Sequence, residues 1–257
     1  MQKLVKISFY LSVSLCVVAI LLIISTYFYV KPSLPEINLV DESELQMPMK
    51  VYTKDNKLIG EFGEIKRRAT DYDDIPPNIK NAFLAAEDAN FFNHQGISYK
   101  GLIRSLVRCL SSKGCVGGGG TITMQVVRGY LLTRDQTFIR KIKEIYLALE
   151  LEGNLTKEEI FELYVNRIFL GNRSYGIEAA ANTYFDKKLE DLTLSESATI
   201  AALVQLPSRV NPVKDPRRTI QRRDWILSRM LKLNYINLDQ YEEAKNQDLK
   251  LAKNINL

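Results

Sequence analysis

A run of 24 residues without a charged side chain, residues 7–30, constrains this chain more than any other feature of its sequence. A helix of that length spans about 36 Å, which is enough to cross a bilayer with some tilt. Lys3 and Lys6 precede the run, whereas acidic residues dominate the segment that follows it. The positive-inside rule therefore predicts a cytosolic N-terminus at residues 1–6, a transmembrane helix at 7–30 and an external remainder.

A cleaved signal peptide is the alternative for this run, but the run is long for one and no small-x-small cleavage site follows it. Residues 31–48 hold three prolines and four acids, which is typical of a linker. Residues 49–257 then form one domain, because 46% hydrophobic residues suffice for a sizeable core. The net charge of +5 fits an anionic membrane surface or an anionic substrate and does not require nucleic acid.

The remaining pattern favours a mainly helical domain. Residues 50–53 and 58–62 flank an Asp-Asn turn, which predicts a short hairpin, and no later segment shows sustained strand alternation. Caps, breakers and apolar spacing predict a series of helices. The first starts at the Pro76-Pro77 pair and ends near Asp88, and the next three cover residues 101–110, 121–132 and 137–152. Another follows a capping box at Thr156, and the last three cover 178–185, the segment from Thr193 to before Pro207, and a basic 217–233 with the single tryptophan.

Glu87 and Asp88 fall at the end of the first of these helices. The helix dipole disfavours the charged form of a carboxyl there, and the two phenylalanines at 91 and 92 would shield it from water. Such a carboxyl suits general acid or base catalysis, although a surface Glu-Asp pair that ends a helix has the same pattern. His94 stands beside Gly96 in the next turn, where shaping the loop is favoured over proton transfer.

A glycine-rich segment at residues 114–120 separates two predicted helices. It nearly matches the phosphate loop of nucleoside triphosphatases, but Gly120 stands where that motif requires lysine and no buried strand precedes it, which excludes that function. A glycine loop that leads into a helix N-terminus still presents N–H groups to an anion. A flexible linker is the plainer interpretation.

Cations accompany the acids of this region. Arg140 and Glu144 lie one helical turn apart, which is the spacing of an ordinary surface pair worth about 0.3–0.5 kcal/mol. Arg128 and Arg140 also suit the clamping of a pyrophosphate, because guanidinium forks match phosphate oxygens. Spacing alone leaves both interpretations open. One histidine, and three cysteines without a zinc-type spacing, argue against a zinc site.

Five motifs in order resemble those of the peptidoglycan glycosyltransferases, the transglycosylase family of bacterial cell-wall synthesis. They are E-D-x-x-F-x-x-H-x-G at residues 87–96, G-G-G-T-I-T-M-Q at 118–125 with Arg128 after it, R-K-x-x-E at 140–144, and longer matches at 158–181 and 194–212. The likeness runs from about residue 49 to residue 230. Five motifs in the family's order are far more specific than any one of them.

The resemblance implies a mainly α, lysozyme-like glycosyltransferase domain with a smaller membrane-facing jaw lobe, preceded by the transmembrane helix. It implies that lipid II and a growing lipid-linked strand are joined into β-1,4 glycan with release of undecaprenyl pyrophosphate. Glu87 matches the family's general base, and Glu144 matches its second catalytic glutamate. Positions that match substrate-binding residues are Asp88, His94, Thr121, Gln125, Arg128, Arg140 and Lys141. In many members a divalent cation, Mg²⁺ or Mn²⁺, accompanies the arginines, and no residue here is identified as its ligand.

Two positions depart from the family pattern. Gly120 stands where serine is usual and Gly129 where asparagine is usual, which removes two hydrogen-bonding groups worth about 0.5–1.5 kcal/mol each. No Ser-x-x-Lys or Lys-Thr-Gly motif occurs, so the chain resembles the monofunctional form of the family. Its 51–62 hairpin is nevertheless similar to that of the bifunctional class A penicillin-binding proteins.

The resemblance also implies a location and partners. The chain would cross the bacterial inner membrane once, with its catalytic domain on the periplasmic face, and would work with lipid II, the bilayer and penicillin-binding transpeptidases. Two other functions remain open: a non-catalytic scaffold that binds lipid II or a synthase, motivated by Gly120 and Gly129, and a lysozyme-like hydrolase, which the five motifs oppose. Cys109 and Cys115 are close enough in sequence to pair outside the cytosol, and the sequence does not decide whether they do.

Overall fold

The computed structural model describes residues 2–35, 49–55, 58–62, 70–111, 120–132, 138–205, 207 and 211–252. The helices within these ranges are α1 (Gln2–Val30), α2 (Pro77–Glu87), α3 (Tyr99–Ser111), α4 (Ile122–Tyr130), α5 (Phe138–Asn154), α6 (Lys157–Arg167), α7 (Ile177–Phe185), α8 (Leu194–Ala202), α9 (Pro216–Lys232) and α10 (Leu238–Asn246). Strands β1 (Met49–Tyr52) and β2 (Leu58–Phe62) pair antiparallel, with Met49 opposite Phe62. The predicted mainly helical class and the hairpin are confirmed, whereas the lysozyme-like arrangement and the jaw lobe stay predictions.

The centre of the domain is α8, which packs against α2, α9, α7 and α10. Every residue from Ser195 to Ala202 is buried, because most are small and the helix is enclosed on all sides. Its hydroxyls bond to its own backbone: Thr199 Oγ1 donates to the Ser195 carbonyl at 2.7 Å, and Ser197 Oγ donates to the Thr193 carbonyl at 2.9 Å. Because these polar groups are satisfied locally, the helix can serve as a core element.

Helix α5 buries a different face from the one that its apolar spacing suggests. The apolar stripe that predicts this helix repeats at spacings of three and four and consists of Ile139, Ile142, Tyr146 and Leu149. Two of its members, Ile139 and Leu149, are 46% and 41% exposed. The side of α5 that faces the core carries Leu147, Ala148 and Leu151 instead. The stripe therefore identified the helix correctly without identifying its buried face.

The end of α1 is fixed to the domain through α5. The ring of Tyr27 lies 5.3 Å from the ring of Tyr146, and Lys143 Nζ donates a hydrogen bond of 3.1 Å to the carbonyl of Ser33. Among the residues that the structure describes, no helix is long and apolar enough to cross a membrane. The transmembrane helix at residues 7–30 thus stays a prediction. Most of the linker at 31–48, the glycine segment at 114–119 and Cys115 lie outside the described residues.

Candidate active site

Glu87 is the last residue of α2, and its carboxylate faces α4. At Asp88 the backbone leaves helical geometry, with φ −154° and ψ 78°, so Glu87 projects from the final turn. Gln125 Nε2 donates a hydrogen bond of 2.9 Å to Glu87 Oε2. Glu87 is only partly buried. The structure therefore joins the first and second motifs through two of the residues that the sequence identified.

Asp88 and His94 hold the loop after α2 against the start of α4. The Asp88 side chain is buried, and its Oδ2 lies 2.9 Å from His94 Nε2. The same oxygen accepts a hydrogen bond of 3.2 Å from the backbone N–H of Ile122, the first residue of α4. An anion at a helix N-terminus is favourable for the helix. The geometry thus gives both residues a structural role, and their contact with substrate stays a prediction.

Thr121 also uses its side chain within the protein. It is the N-cap of α4, where its Oγ1 accepts a hydrogen bond of 3.2 Å from the Met124 backbone N–H. The same hydroxyl donates to the carbonyl of Gly96 at 2.5 Å. Thr121 is 2% exposed, so its hydroxyl positions α4 rather than facing open space.

Glu144 is buried on α5 between two cations. It is 1% exposed, it accepts a hydrogen bond from Arg140, and Lys141 Nζ donates to its Oε2 at 3.0 Å. The Arg140–Glu144 pair therefore has the i,i+4 spacing of a surface pair but lies in a desolvated place, where losing one partner is far more costly than at the surface. The third motif thus forms a group of two cations around one carboxylate.

Three functional candidates were missed by the sequence analysis. Tyr164 of α6 is buried, which raises the pKa of its phenol, and the Glu87 carboxylate contributes to this rise. Arg222 and Arg229 of α9 pack on the ring of Trp225, with guanidinium carbons 3.9 Å and 4.9 Å from its centre. Burial lowers the pKa of Arg222, the Glu87 carboxylate raises it in part, and Arg229 lowers it. The seven-residue spacing of the two arginines on one helical face was the available signal.

These groups define what the site is able to do chemically. A partly buried carboxylate, Glu87, accepts a hydrogen bond from an amide of α4 and interacts electrostatically with Arg222 of α9. Arg140 and Lys141 surround Glu144 on α5, which packs against α4. A carboxylate accepts a proton, and neighbouring cations stabilise negative charge that develops during a reaction. The arrangement suits the transfer of a group away from an anionic leaving group.

A match to a protein-family model decides which family this chain belongs to. The transglycosylase family model matches residues 55–231, which is more than half of the chain. The chain belongs to the transglycosylase family. The family and the enzyme class that the five motifs predict, peptidoglycan glycosyltransferase, are thereby confirmed.

Curated relatives of this transglycosylase include three proteins named penicillin-binding protein 1A. That of Pseudomonas aeruginosa is 46% identical over 254 residues, which are 99% of this chain and 31% of the relative. That of Haemophilus influenzae is 49% identical over 203 residues, 79% of this chain and 24% of the relative. That of Escherichia coli is 42% identical over 221 residues, 86% of this chain and 26% of the relative. The chain thus spans about a quarter to a third of their length.

Among solved structures, the crystal structure of penicillin-binding protein 1A from Haemophilus influenzae matches with a TM-score of 0.49 and 33% sequence identity. The match covers 82% of this transglycosylase and 22% of that chain.

The described residues do not fit a metal ion that the protein alone would hold. They contain no group of three or more histidine, cysteine, aspartate or glutamate side chains in a metal-binding arrangement. The carboxylates of Asp88 and Glu144 are already bonded within the protein. The Mg²⁺ or Mn²⁺ that the family resemblance implies therefore has no identified ligand among the described residues.

Gly120→Ser, which restores the usual family residue, is expected to keep the rate of this transglycosylase or raise it by up to about tenfold. A Cβ at Gly120 would lie 3.9 Å from Lys141 Nζ, an ordinary contact, so the added hydroxyl fits beside that ammonium group. Gly153→Ala is the control, because a Cβ there has nothing within 4 Å and the position lies outside the five motifs. Initial rates of glycan formation measure both. A clear loss of rate in Gly120→Ser would show that this transglycosylase requires glycine at that position.

Proposed function

We propose that this transglycosylase polymerises lipid II into β-1,4-linked glycan strands and releases undecaprenyl pyrophosphate. The observation that carries the proposal is the Glu87 carboxylate, which accepts a hydrogen bond from Gln125 of α4 and interacts with Arg222 of α9, while α5, packed against α4, carries the cations Arg140 and Lys141. The reaction needs a base for a sugar hydroxyl and positive charge near a departing diphosphate, and both kinds of group occur here. The family membership supplies the substrate class.

The proposed glycosyl transfer needs only the two lipid-linked substrates and the side chains of the site. Glu87 accepts the proton of the 4-hydroxyl of the GlcNAc in the acceptor lipid II. That oxygen forms a bond to C1 of the MurNAc at the end of the growing strand, with inversion, while the bond from C1 to the diphosphate breaks. The diphosphate leaves with the electron pair of that bond, and Arg128, Arg140 and Lys141 offset its charge. Glu144 acts by holding Arg140 and Lys141 in place.

The proposal includes an inner-membrane location with the catalytic domain on the periplasmic face. Lipid II keeps its tail in a bilayer, so the site has to lie close to one. Residues 7–30 would supply the anchor, and the contact between Tyr27 and Tyr146 would fix its end to the helix that carries Glu144. The anchor would thereby set the height of the site above the membrane.

Helix α3 supports a bilayer-facing surface on the domain. Tyr99 and Ile103, one helical turn apart, are 73% and 63% exposed. Lys100 and Arg104 are exposed beside them. Apolar side chains flanked by cations suit the interface of a bilayer that contains anionic lipids. We infer that this surface belongs to the jaw lobe.

The test is polymerisation by the purified full chain. The protein is incubated with lipid II in detergent, with and without Mg²⁺, and the products are sized on a gel. A ladder of glycan strands together with undecaprenyl pyrophosphate is the expected result.

We also propose that a penicillin-binding transpeptidase crosslinks these strands, which pull-down with such an enzyme would test.

Two other results would contradict the proposal in different ways, one from this assay and one from incubation with purified sacculi. Binding of lipid II without turnover would indicate a scaffold. Release of soluble muropeptides from purified sacculi without lipid II would indicate a hydrolase, because hydrolysis needs water instead of a lipid-linked acceptor.

A further inference from the structure

A buried phenol, which has no hydrogen-bond partner among the described residues, packs against the helix that ends at the candidate base. Tyr164 is 3% exposed, and its hydroxyl oxygen is buried with no hydrogen bond among the described residues. Its ring meets the ring of Phe83 edge to face, with centroids 6.0 Å apart and an angle of 81° between planes. Phe83 precedes Glu87 by one turn of α2, so the phenol packs against the face of α2 that carries Glu87.

The charged groups that face this hydroxyl come from α2 and α4. Burial raises the pKa of Tyr164 well above its usual range, the Glu87 carboxylate raises it further, Arg128 lowers it in part, and Asp88 adds a smaller increase. Arg222 of α9, a helix that packs against α2, also interacts electrostatically with Glu87. The hydroxyl is therefore protonated throughout the neutral range. It is available as a hydrogen-bond donor.

Of the two carboxylates that act on this donor, Glu87 has the larger unused acceptor capacity. Asp88 Oδ2 already interacts with His94 and with the backbone N–H of Ile122. Among the described residues only Gln125 donates to Glu87. A carboxylate has about four acceptor sites, and buried donors in native proteins are nearly always paired.

Tyr164 and Glu87 also differ in how far packing restricts the rotation of their side chains. Tyr164 is fixed in the core by Phe83 and by Phe161, whose ring centroid lies 6.4 Å away. Glu87 is partly exposed at a helix end and is attached through three rotatable bonds. Glu87 is thus the side chain with the freedom to turn toward the phenol.

We propose that Tyr164 is a positioning residue for the base and that its hydroxyl donates a hydrogen bond to the Glu87 carboxylate when substrate is bound. The inference rests on the proposed function. With Gln125 on one side and Tyr164 on the other, the carboxylate is held in one orientation and its charged, proton-accepting form is favoured.

The test compares pH–rate profiles of wild type and Tyr164→Phe for lipid II polymerisation. A hydrogen bond to the charged carboxylate lets it stay ionised at lower pH, so its removal moves the acid limb of kcat/KM to higher pH. We expect a shift of about half a unit to one unit, and a fall in kcat on the plateau of about 2- to 10-fold with little change in KM. A purely structural role would not move the acid limb.

Tyr184→Phe is the matched control. Tyr184 is also a fully buried phenol, but its hydroxyl donates to the carbonyl of Leu170 at 2.9 Å, and burial alone raises its pKa. Its loss should lower the thermal unfolding temperature and leave the acid limb in place. Tyr164→Phe should leave that temperature unchanged or raise it, because it removes an unpaired buried hydroxyl.

The outcomes separate this inference from the proposed function. If wild type makes no glycan, the proposed function fails and the inference with it. If wild type polymerises and Tyr164→Phe keeps the same acid limb, the inference alone is wrong. A Tyr164→Phe protein that unfolds at a markedly lower temperature, with an unshifted acid limb, would assign the hydroxyl to stability.

Discussion

Glu87→Gln is expected to lower the rate of lipid II polymerisation by about 10²–10⁴-fold. Glutamine has the shape of glutamate and keeps an oxygen that accepts the hydrogen bond from Gln125 Nε2, but it cannot take a proton at neutral pH. Glu87 is partly exposed at the end of α2, and its hydrogen bond to Gln125 of α4 survives the change, so the fold should persist. Initial rates and thermal unfolding of the purified full chain measure the two effects separately.

The control for this change is Glu190→Gln. Glu190 is an exposed acid that pairs, within the described part of the chain, with the exposed Lys188 at 3.3 Å, and pairs of that kind contribute little. It should polymerise at the wild-type rate. If Glu87→Gln did the same, Glu87 would not be the base, and the proton would have to pass to another group.

The sequence predicts those parts of the fold that are set by neighbours along the chain. The capping box at Thr156 forms as expected, with the Glu159 side chain accepting from the Thr156 backbone, and α2 begins at Pro77. Helix α10 was missed although Asn237 and Gln240 form the same kind of box, because no clear apolar run follows them. A helix start is thus predictable from the sequence where a capping box and an apolar run occur together.

The site is less readable, because its contacts join residues that are far apart in sequence. The motifs identify Glu87 and Gln125, but nothing in their spacing shows that the one donates to the other. The sequence gives no hint that Asp88 bonds to the start of α4, which makes it part of the support of the site. Arg222 belongs to a helix that the sequence identifies only as basic, whereas the packing of α9 on α2 lets it interact electrostatically with Glu87.

Gly96→Ala is expected to lower the free energy of unfolding by about 2–5 kcal/mol. Gly96 has φ +71°, which alanine adopts with strain, and an added Cβ would lie 2.8 Å from the Ala148 carbonyl oxygen of α5. The Gly96 carbonyl also accepts from Thr121 Oγ1, the N-cap of α4. A shift of this loop would therefore disturb the first motif, α4 and α5 together. Thermal unfolding should show a fall of about 5–15 °C.

Gly153→Ala is the control on the same helix as Ala148. A Cβ there has nothing within 4 Å, and alanine is favoured over glycine in a helix, so the unfolding temperature should stay the same or rise slightly. Gly96→Ala should also polymerise more slowly at temperatures where it is fully folded, because Gly96 joins the helices that carry Gln125 and Glu144. Unfolding at the wild-type temperature would show that the loop can move away from α5, in which case this contact does not fix the relative position of Glu87 and Glu144.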